Sequence, residues 1–489
     1  MTRKTRKAGE SAATLLQTLQ PFLEGKNAMA EATQTSSAAY PNPRYSWYCL
    51  GVIVFAYFFG FMDRLIVGLL TPAIQLDLGF SDTQMGAIQG LAFAVFYSLF
   101  VIPIGWAADR FNRKWMLATG TAVWSLFTAG AGFVRTFGGL FGMRVGVGIG
   151  EATLNPCTAS LIGDYFEPRD RPKAFGIYTM ATAFGTGLTY IFGGALIVFT
   201  GAAAREVAMF PMPFLGDIPA WQAVFIIIGL AGLIPALLMA LTVREPARKE
   251  IAKDKSEKAS WGEIFAFLNQ NKTTLICHHF GVAFILMAVY GWVNWLPSLF
   301  ERVHGWSVPQ FAFWYGVFGG IFGIISALSS GFVTNWFKDK GKADGAMRTV
   351  MWGGAGLTIG TTIAPLMPTP ELCLALFAVA GLFSNWPPAQ ALAAVNEMTP
   401  NQLRGVVTAV YILVIGIGGA GVGPFAMGWV TDNVFGDPQQ INLSMALVTV
   451  VMGSLGTLLI AYGLKAYRES LARVDWMTGG NPLEQAGGA

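Results

Sequence analysis

The chain has 489 residues, 54% of them hydrophobic and 12% charged against about 25% in soluble domains, with a mean hydropathy of +0.51. That composition points away from a soluble domain and towards an all-α polytopic membrane protein, and a formal net charge of +4 is too small to suggest nucleic acid. Cys49, Cys157, Cys277 and Cys373 lie dispersed in or beside apolar segments with no CxxC or Cys/His spacing, so neither a metal nor a cofactor is expected.

Residues 1–45 are expected to form a cytoplasmic tail. Its first residues are basic (Arg3, Lys4, Arg6, Lys7), and Ala12, Leu15, Leu16, Leu19, Phe22 and Leu23 follow the spacing of one helix face. Three readings stay open: a surface helix on the inner leaflet, a disordered tail, or sequence upstream of a start at Met29. Thr14, Gln17, Thr18 and Gln20 interrupt the apolar run and argue against a cleaved signal peptide.

From Arg44 onward, apolar segments near the roughly 20 residues needed to cross a bilayer follow one another. The expected spans are 46–70, 84–108, 114–134, 138–163, 173–199 and 219–243, then 273–299, 309–336, 347–367, 371–396, 405–430 and 440–465. Twelve transmembrane helices therefore form two six-helix bundles, 46–243 and 273–468, joined by a cytoplasmic linker (244–272) and followed by a cytoplasmic tail (469–489). The connections of one side, with both tails, carry 27 of the 32 Lys and Arg, while the other side has only Arg135, Arg205 and Arg302. By the positive-inside rule both termini are cytoplasmic, in a multi-pass protein of the inner (cell) membrane.

The halves echo each other. GWAADRFNRK from Gly105 is answered by GFVTNWFKDK from Gly331, and DYFEPRDRPKAFG from Asp164 more weakly by EMTPNQLRGVVTA from Glu397, setting Arg171 against Arg404. Two similar bundles around a midplane site are what alternating access requires.

Two charge pairs stand inside apolar runs: Asp63 and Arg64 in FGFMDRLIVGLL, and Arg144 and Glu151 in the fourth segment. Each such charge costs roughly 2.5–3.5 kcal/mol at mid-bilayer, so it is kept for partners, ions or substrates. Arg144 and Glu151 are two turns apart, about 10 Å along one helix face, with Gly146, Gly148 and Gly150 forming a bare strip between them. That strip lets another helix approach closely. Asp63 and Arg64 diverge by about 100° around their helix, so Asp63 is expected near Arg144, and Arg64 near Glu151 or a substrate anion. A static ion network is the competing reading, but apolar packing often stabilises as well as a buried ion pair. Proton coupling fits better: a carboxylate whose arginine partner leaves during a conformational change alternates between low and high proton affinity. Asp63 and Glu151 are the candidate proton carriers, and Arg64 and Arg144 the partners of carboxylate and substrate.

GWAADRFNRK resembles the loop signature GxxxDRxGRK of the major facilitator superfamily through Gly105, Asp109, Arg110, Arg113 and Lys114, with Asn112 in place of a glycine. GMRVGVGIGEA (142–152) is similar to that superfamily's helix 4 signature. Within the superfamily, FMDR, GEATLNP, DYFEPRDRPKAFGIY and YGWVNWLP together resemble Spinster-type lipid transporters, and bacterial anion symporters share the Asp-Arg pair. The resemblance implies a transporter of lysophospholipid or sphingolipid-like cargo. It also implies a latch that closes the cytoplasmic side. Here Asp109 would sit against the N-terminal end of the eleventh helix near Gly405 and bind Arg110 or Arg113.

The second half has no acidic or basic residue in mid-span. It offers Tyr290, Trp292, Asn294, Trp295, Trp314, Tyr315, Asn385 and Trp386. A charged first half facing an aromatic second half suits an amphipathic small molecule or lipid; Tyr290, Trp292, Asn294 and Asn385 are the candidate cavity residues. Pro156, Pro235, Pro297 and Pro387–Pro388 are expected to mark bends, and His278 and His279 to be interfacial. No HExxH, GxSxG or phosphate-binding loop is present, so an enzyme is not expected, and no appended domain suggests a sensor. The expected protein is a monomeric, proton-coupled secondary transporter whose partners are its cargo, protons and membrane lipids. The alternative cargo is a small organic anion or drug.

Overall fold

The computed structural model describes residues 40–203, 206–249, 260–400 and 402–477, and these are helical almost throughout. The possible surface helix near the N-terminus, part of the linker, Arg205 and the end of the C-terminal tail lie outside the described residues.

Helix α1 (Pro43–Leu78) starts where the Asn42 side chain accepts the Arg44 amide and stops at Gly79, which takes a left-handed φ of 67°. It overruns the expected end at 70 because Pro72 is accommodated inside the helix and Gly79 is the first true stop. Helix α2 (Asp82–Ala108) begins on a capping box between Ser81 and Gln84. There follow α3 (Arg113–Ala131), α4 (Phe137–Glu151), α5 (Leu154–Tyr165) and α6 (Arg171–Thr200). An antiparallel hairpin, β1 (Met209–Met212) and β2 (Gly216–Pro219), pairs Met209 with Pro219 ahead of α7 (Ala220–Thr242).

Beyond the linker come α8 (Trp261–Gln270), α9 (Lys272–Arg302), α10 (Val308–Asp339) and α11 (Gly345–Ile363). Helix α12 (Pro370–Met398) is interrupted at 382–385, directly before Pro387–Pro388. Helix α13 (Arg404–Phe435) carries π turns at Ile415–Gly421 and Thr431–Phe435, and α14 (Ile441–Met477) closes the described chain. Two of the expected proline bends are real breaks: the turn at 152–153 before Pro156, and that before Pro387. Pro235 and Pro297 sit in unbroken helices.

Nine helices among the described residues are long and apolar enough to cross a membrane: α1, α2, α6, α7, α9, α10, α12, α13 and α14. The third, fourth and ninth expected spans are helical but shorter. Charged Arg144 and Glu151 and a broken helix mark the fourth, and Gly and Thr residues dilute the apolar content of α11.

Helix α3 packs on α7 and α4, α4 on α2, and α1 on α6 and α7; separately, α9 packs on α13 and α14, and α11 on α12 and α14. Three seams join these two groups: α1 with α9, α2 with α13, and α6 with α10. The seams are tight because glycines lie at them. An added Cβ would meet the Gly421 carbonyl oxygen at 2.2 Å from Gly90 and the Gly316 oxygen at 2.7 Å from Gly187.

Candidate functional site

The bare strip on α4 performs as its spacing suggests. Cβ atoms on Gly146 and Gly150 would collide with Phe127 and Trp124 of α3, and one on Gly148 with the Phe93 carbonyl of α2. Close approach on two sides, to α3 and α2, fixes the face of α4 that carries Arg144 and Glu151.

Arg64 of α1 reaches Glu151, with Nε and Nη2 each 2.7 Å from Oε2. The Glu151 side chain is wholly buried and that of Arg64 is 25% exposed, so the pair has one face towards open space. Gly60, one turn back on α1, leaves room for the carboxyl, since a Cβ there would sit 3.5 Å from Glu151 Cδ. The guanidinium also lies over the rings of Phe93 and Tyr97, at 4.8 and 5.1 Å from their centroids.

Asp63 lies beside Arg144, as expected, but no side-chain bond joins them. Arg144 Nη1 donates instead to the Asp63 backbone carbonyl at 3.0 Å. Asp63 Oδ1, Glu151 Oε1, and Arg144 Nε and Nη2 are buried without a hydrogen-bond partner among the described residues. The geometry accounts for this: with Arg64 turned to Glu151, the neighbouring Asp63 side chain points about 100° away. Buried polar groups left this way are costly, each by about 1–3 kcal/mol. The arrangement is therefore one of partly committed charges.

A neutral polar chain, which spacing alone did not reveal, extends this centre. Asn155 Nδ2 donates to the Tyr97 hydroxyl at 2.7 Å, and the Tyr178 hydroxyl donates to Asn155 Oδ1 at 2.6 Å. The break after Glu151 brings Asn155 to an exposed position. Its sequence signal was an Asn-Pro step inside an otherwise apolar run.

Between the two groups lies a cavity of about 190 Å³, lined by Phe61 and Leu65 of α1, Thr186 of α6, and Tyr290, Trp292 and Asn385 of the second group. Three of the four expected cavity residues are therefore present. Asn294 is the exception: its Nδ2 donates to the Tyr290 carbonyl, and its backbone packs on Gly68 of α1. Asn385 is fixed by donating its side-chain amide to the Gly323 carbonyl at 3.1 Å and its backbone N–H to Ser326 Oγ at 2.9 Å. On the outer side of α10 and α12, Trp314 lines a larger apolar groove with Phe318, Phe322 and Trp306.

His278 and His279, expected at the interface, are buried, at 0% and 3% exposure. Helix α9 starts nearly two turns before them, and α12, through Ala391, and α13, through Tyr411, cover the rings.

The expected latch at the basic end is not engaged. Asp109 and Gly405 are both exposed, and nothing approaches within 4 Å of a Cβ at Gly405. Arg110 donates to the Trp106 carbonyl and lies over its ring. Arg113 binds Asp164 and Ser160 within the first group and Glu245 at the start of the linker. Bonds between the groups occur at the opposite end. There Arg302 grips Asp82 with both nitrogens, at 2.7 and 2.8 Å, and donates to Gln75 at 2.6 Å. Asp432, at the end of α13, accepts the amides of Asp82 and Thr83 at the start of α2. A latch of an acid on a helix N-terminus exists, at the other end of the molecule.

Closed at the Arg302 end and unlatched at the basic end, the molecule holds a partly exposed cation on a buried carboxylate, and Phe61 and Leu65, either side of that cation on α1, line the aromatic-walled cavity. Residues 53–343 match the model of the Major Facilitator Superfamily, more than half the chain. An MFS-type efflux pump of Mycolicibacterium smegmatis is 24% identical over 450 residues, covering 90% of this chain and 97% of the pump. Human protein spinster homolog 1 is 27% identical over 267 residues, covering 53% of this chain and 47% of that protein. Sugar-acid transporters of Escherichia coli and Bacillus subtilis also match. Among solved structures, a bacterial homologue of the human lysosomal transporter Spinster, inward-facing and unoccupied, superposes with a TM-score of 0.72 at 24% identity, covering 89% of this chain and 99% of that one. At that identity the likeness establishes the fold.

Proposed function

The chain belongs to the Major Facilitator Superfamily and is a multi-pass membrane transporter of a small-molecule substrate, not an enzyme; on that premise we propose that it is a proton-coupled secondary active transporter of an amphipathic lipid such as a lysophospholipid or a sphingoid phosphate. In this reading twelve membrane helices form two six-helix bundles, 46–243 and 273–468, that rock about the central cavity. Both termini are cytoplasmic in this reading, so the conformation described above, closed at the Arg302 end and unlatched at the basic end, faces inwards.

The observation that carries the reading is the Arg64–Glu151 ion pair, buried on the carboxylate side and open on the arginine side, with Asp63 and Arg144 beside it short of partners. A cargo anion arriving at Arg64 competes with Glu151 for the same guanidinium. Glu151 then loses its counter-charge in an apolar setting and takes a proton; when the cargo leaves, the ion pair reforms and the proton is released. Asp63 shares this role through Arg144. The apolar tail of the cargo lies against Tyr290, Trp292 and the α10–α12 wall.

The sugar-acid transporters among the relatives favour a second reading, a small organic anion as cargo. A binding screen of lysophospholipids, sphingoid phosphates and sugar acids on the purified protein separates the two, and preference for sugar acids overturns the lipid. For coupling, a pH-jump flux assay in liposomes is expected to show proton-driven transport falling to background in Asp63→Asn and Glu151→Gln, both still folded. Normal proton-driven flux in both variants sinks the coupling scheme.

A further inference from the structure

Helix α9 opens with two adjacent histidines that the charged centre of the first group does not use. His278 Nδ1 and His279 Nδ1 face each other at 3.1 Å. His278 Nε2 lies 2.9 Å from the Ala391 carbonyl oxygen of α12, so that nitrogen carries hydrogen and donates. The carbonyls of Leu275, one turn back on α9, and of Val407 on α13 face the His279 ring. Tyr411 of α13 packs on both rings at centroid separations of 5.3 and 5.6 Å, and its buried hydroxyl has no partner among the described residues.

Counting hydrogens decides what this pocket wants. Two neutral imidazoles bring two N–H groups and two lone pairs. The Ala391 carbonyl takes one N–H. If His279 turns its own N–H to His278 Nδ1, its other nitrogen meets carbonyl oxygen with a lone pair. If it turns that N–H to a carbonyl, two Nδ1 lone pairs confront each other at hydrogen-bonding distance. Each neutral tautomer thus leaves one acceptor-on-acceptor contact. One added proton removes it: an Nδ1–H joins the two rings, the other N–H groups meet carbonyls, and the charge lies against the Tyr411 ring.

We propose that His278 and His279 form a second proton-binding site, in the second helix group and distinct from Asp63 and Glu151, holding one proton shared between the two Nδ1 atoms. The groups around it are few. Helix α12 contributes the Ala391 carbonyl, with Glu397 farther along and already bonded to Lys338 and Tyr467. Helix α13 contributes Tyr411, which in turn is within electrostatic range of Tyr290 in the central cavity. Cys277 precedes the pair on α9, and its side chain meets Gly463 of α14. Because α9, α12 and α13 each supply part of the site, its proton reports on their relative position.

The chain has three histidines, which makes the test direct. The full chain, labelled with ¹⁵N-histidine and held in lipid nanodiscs, is followed by NMR from about pH 5 to about pH 9, the range in which histidine titrates, with His304 as internal reference. The expected spectrum at the acid end shows one extra ring proton on the pair, with coupling between the two Nδ1 nuclei, lost towards alkaline pH. His278→Gln and His279→Gln each leave the remaining pair histidine neutral across the range. Asp63→Asn and Glu151→Gln leave the signal intact, so it stands or falls separately from coupling at those carboxylates. Two neutral rings in fixed tautomers down to about pH 5 overturn the proposal.

Discussion

The two ends of the molecule are held by different kinds of bond. At the Arg302 end bonds cross between the helix groups, Arg302 of α9 to Asp82 and Gln75 and Asp432 of α13 to the start of α2, beside the Arg135–Asp77 pair that stays within the first group. At the basic end they stay within a group or tie it to the adjoining linker, Arg113 binding Asp164 in the first and Glu245 just after it, and Asp344 binding Arg348 and Arg468 in the second. A bond inside a group survives rigid-body rocking, whereas a bond across groups has to break. The conformational equilibrium is therefore set mainly at the Arg302 end, while the basic end contributes stability to each group.

The largest expected effect comes from breaking the crossing bonds at their hub. The Asp82 side chain is 1% exposed and that of Arg302 13%, so Arg302→Ala leaves a buried carboxylate without its counter-charge. Removing one partner of such a pair costs about 3–5 kcal/mol, and every 1.4 kcal/mol is tenfold in an equilibrium. A cysteine placed at Leu65 in the cavity is then expected to react at least tenfold faster with an impermeant maleimide added from the Arg302 side. Arg302→Lys, which keeps charge but loses the two-pronged grip, falls between. Unchanged labelling in Arg302→Ala means the crossing bonds do not control the equilibrium.

Next in size is a bond of the other kind. Burial pushes the Asp344 carboxyl up, yet its hydrogen bonds to Arg348 and Arg468 outweigh that and hold it below its ordinary value of 3.8. Its contribution to stability is present above that ordinary value and is lost as pH falls through the lower folded one. Asp344→Asn is expected to cost about 1–3 kcal/mol at neutral pH, seen as a lower melting temperature in detergent, with a difference from wild type that shrinks at acid pH. Labelling from either side stays as in wild type; a shift there would mean that bonds within a group also steer the equilibrium. Asp432→Asn is smaller, since the amide oxygen still accepts from Thr83, while the weaker bond from the Asp82 amide and the charge at the helix terminus are lost, about 1 kcal/mol. Labelling through the Arg302 end is expected to rise by a few-fold at most, with the melting temperature little moved.

What the sequence showed and what it hid follow the same division. Apolar period and length placed every long helix, and the local spacing of Arg144, Gly146, Gly148, Gly150 and Glu151 foretold a closely packed face. The proximity of Arg64 to Glu151 was legible because both are costly charges with few possible partners. Contacts between distant segments were not. Arg302 read as an ordinary basic loop residue, and nothing local ties it to Asp82, which lies 220 positions earlier. His278 and His279 read as interfacial because they stand near a helix start, and only the packing of α12 and α13 over α9 buries them. Arg144 comes to Asp63 as expected, but it donates to the Asp63 backbone carbonyl: a backbone carbonyl can accept as well as a carboxylate, and residue type does not announce it.

Asp109 gives the smallest expected effect on this conformation and the sharpest test of the contrast between the ends. Its carboxylate has no hydrogen-bond or ion-pair partner among the described residues; what is held is its carbonyl, by Arg248 at 2.7 Å. Asp109→Ala removes nothing that this conformation uses, so the stability is expected to stay within about 0.5 kcal/mol of wild type, with the melting temperature little moved. The loop signature nevertheless implies a latch closing the basic end, and a bond absent here acts only in the alternate state. Loss of that bond lowers the population of the alternate state and leaves the one described here as it is. The Leu65 cysteine should therefore label more slowly from the Arg302 side in Asp109→Ala, opposite in sign to Arg302→Ala, and at an unchanged rate from the basic side. In the double variant the two shifts should add, because the residues sit at opposite ends and share no partner. Faster labelling from the Arg302 side in Asp109→Ala would place Asp109 on the same side of the balance as Arg302, and the division of labour between the two ends would fail.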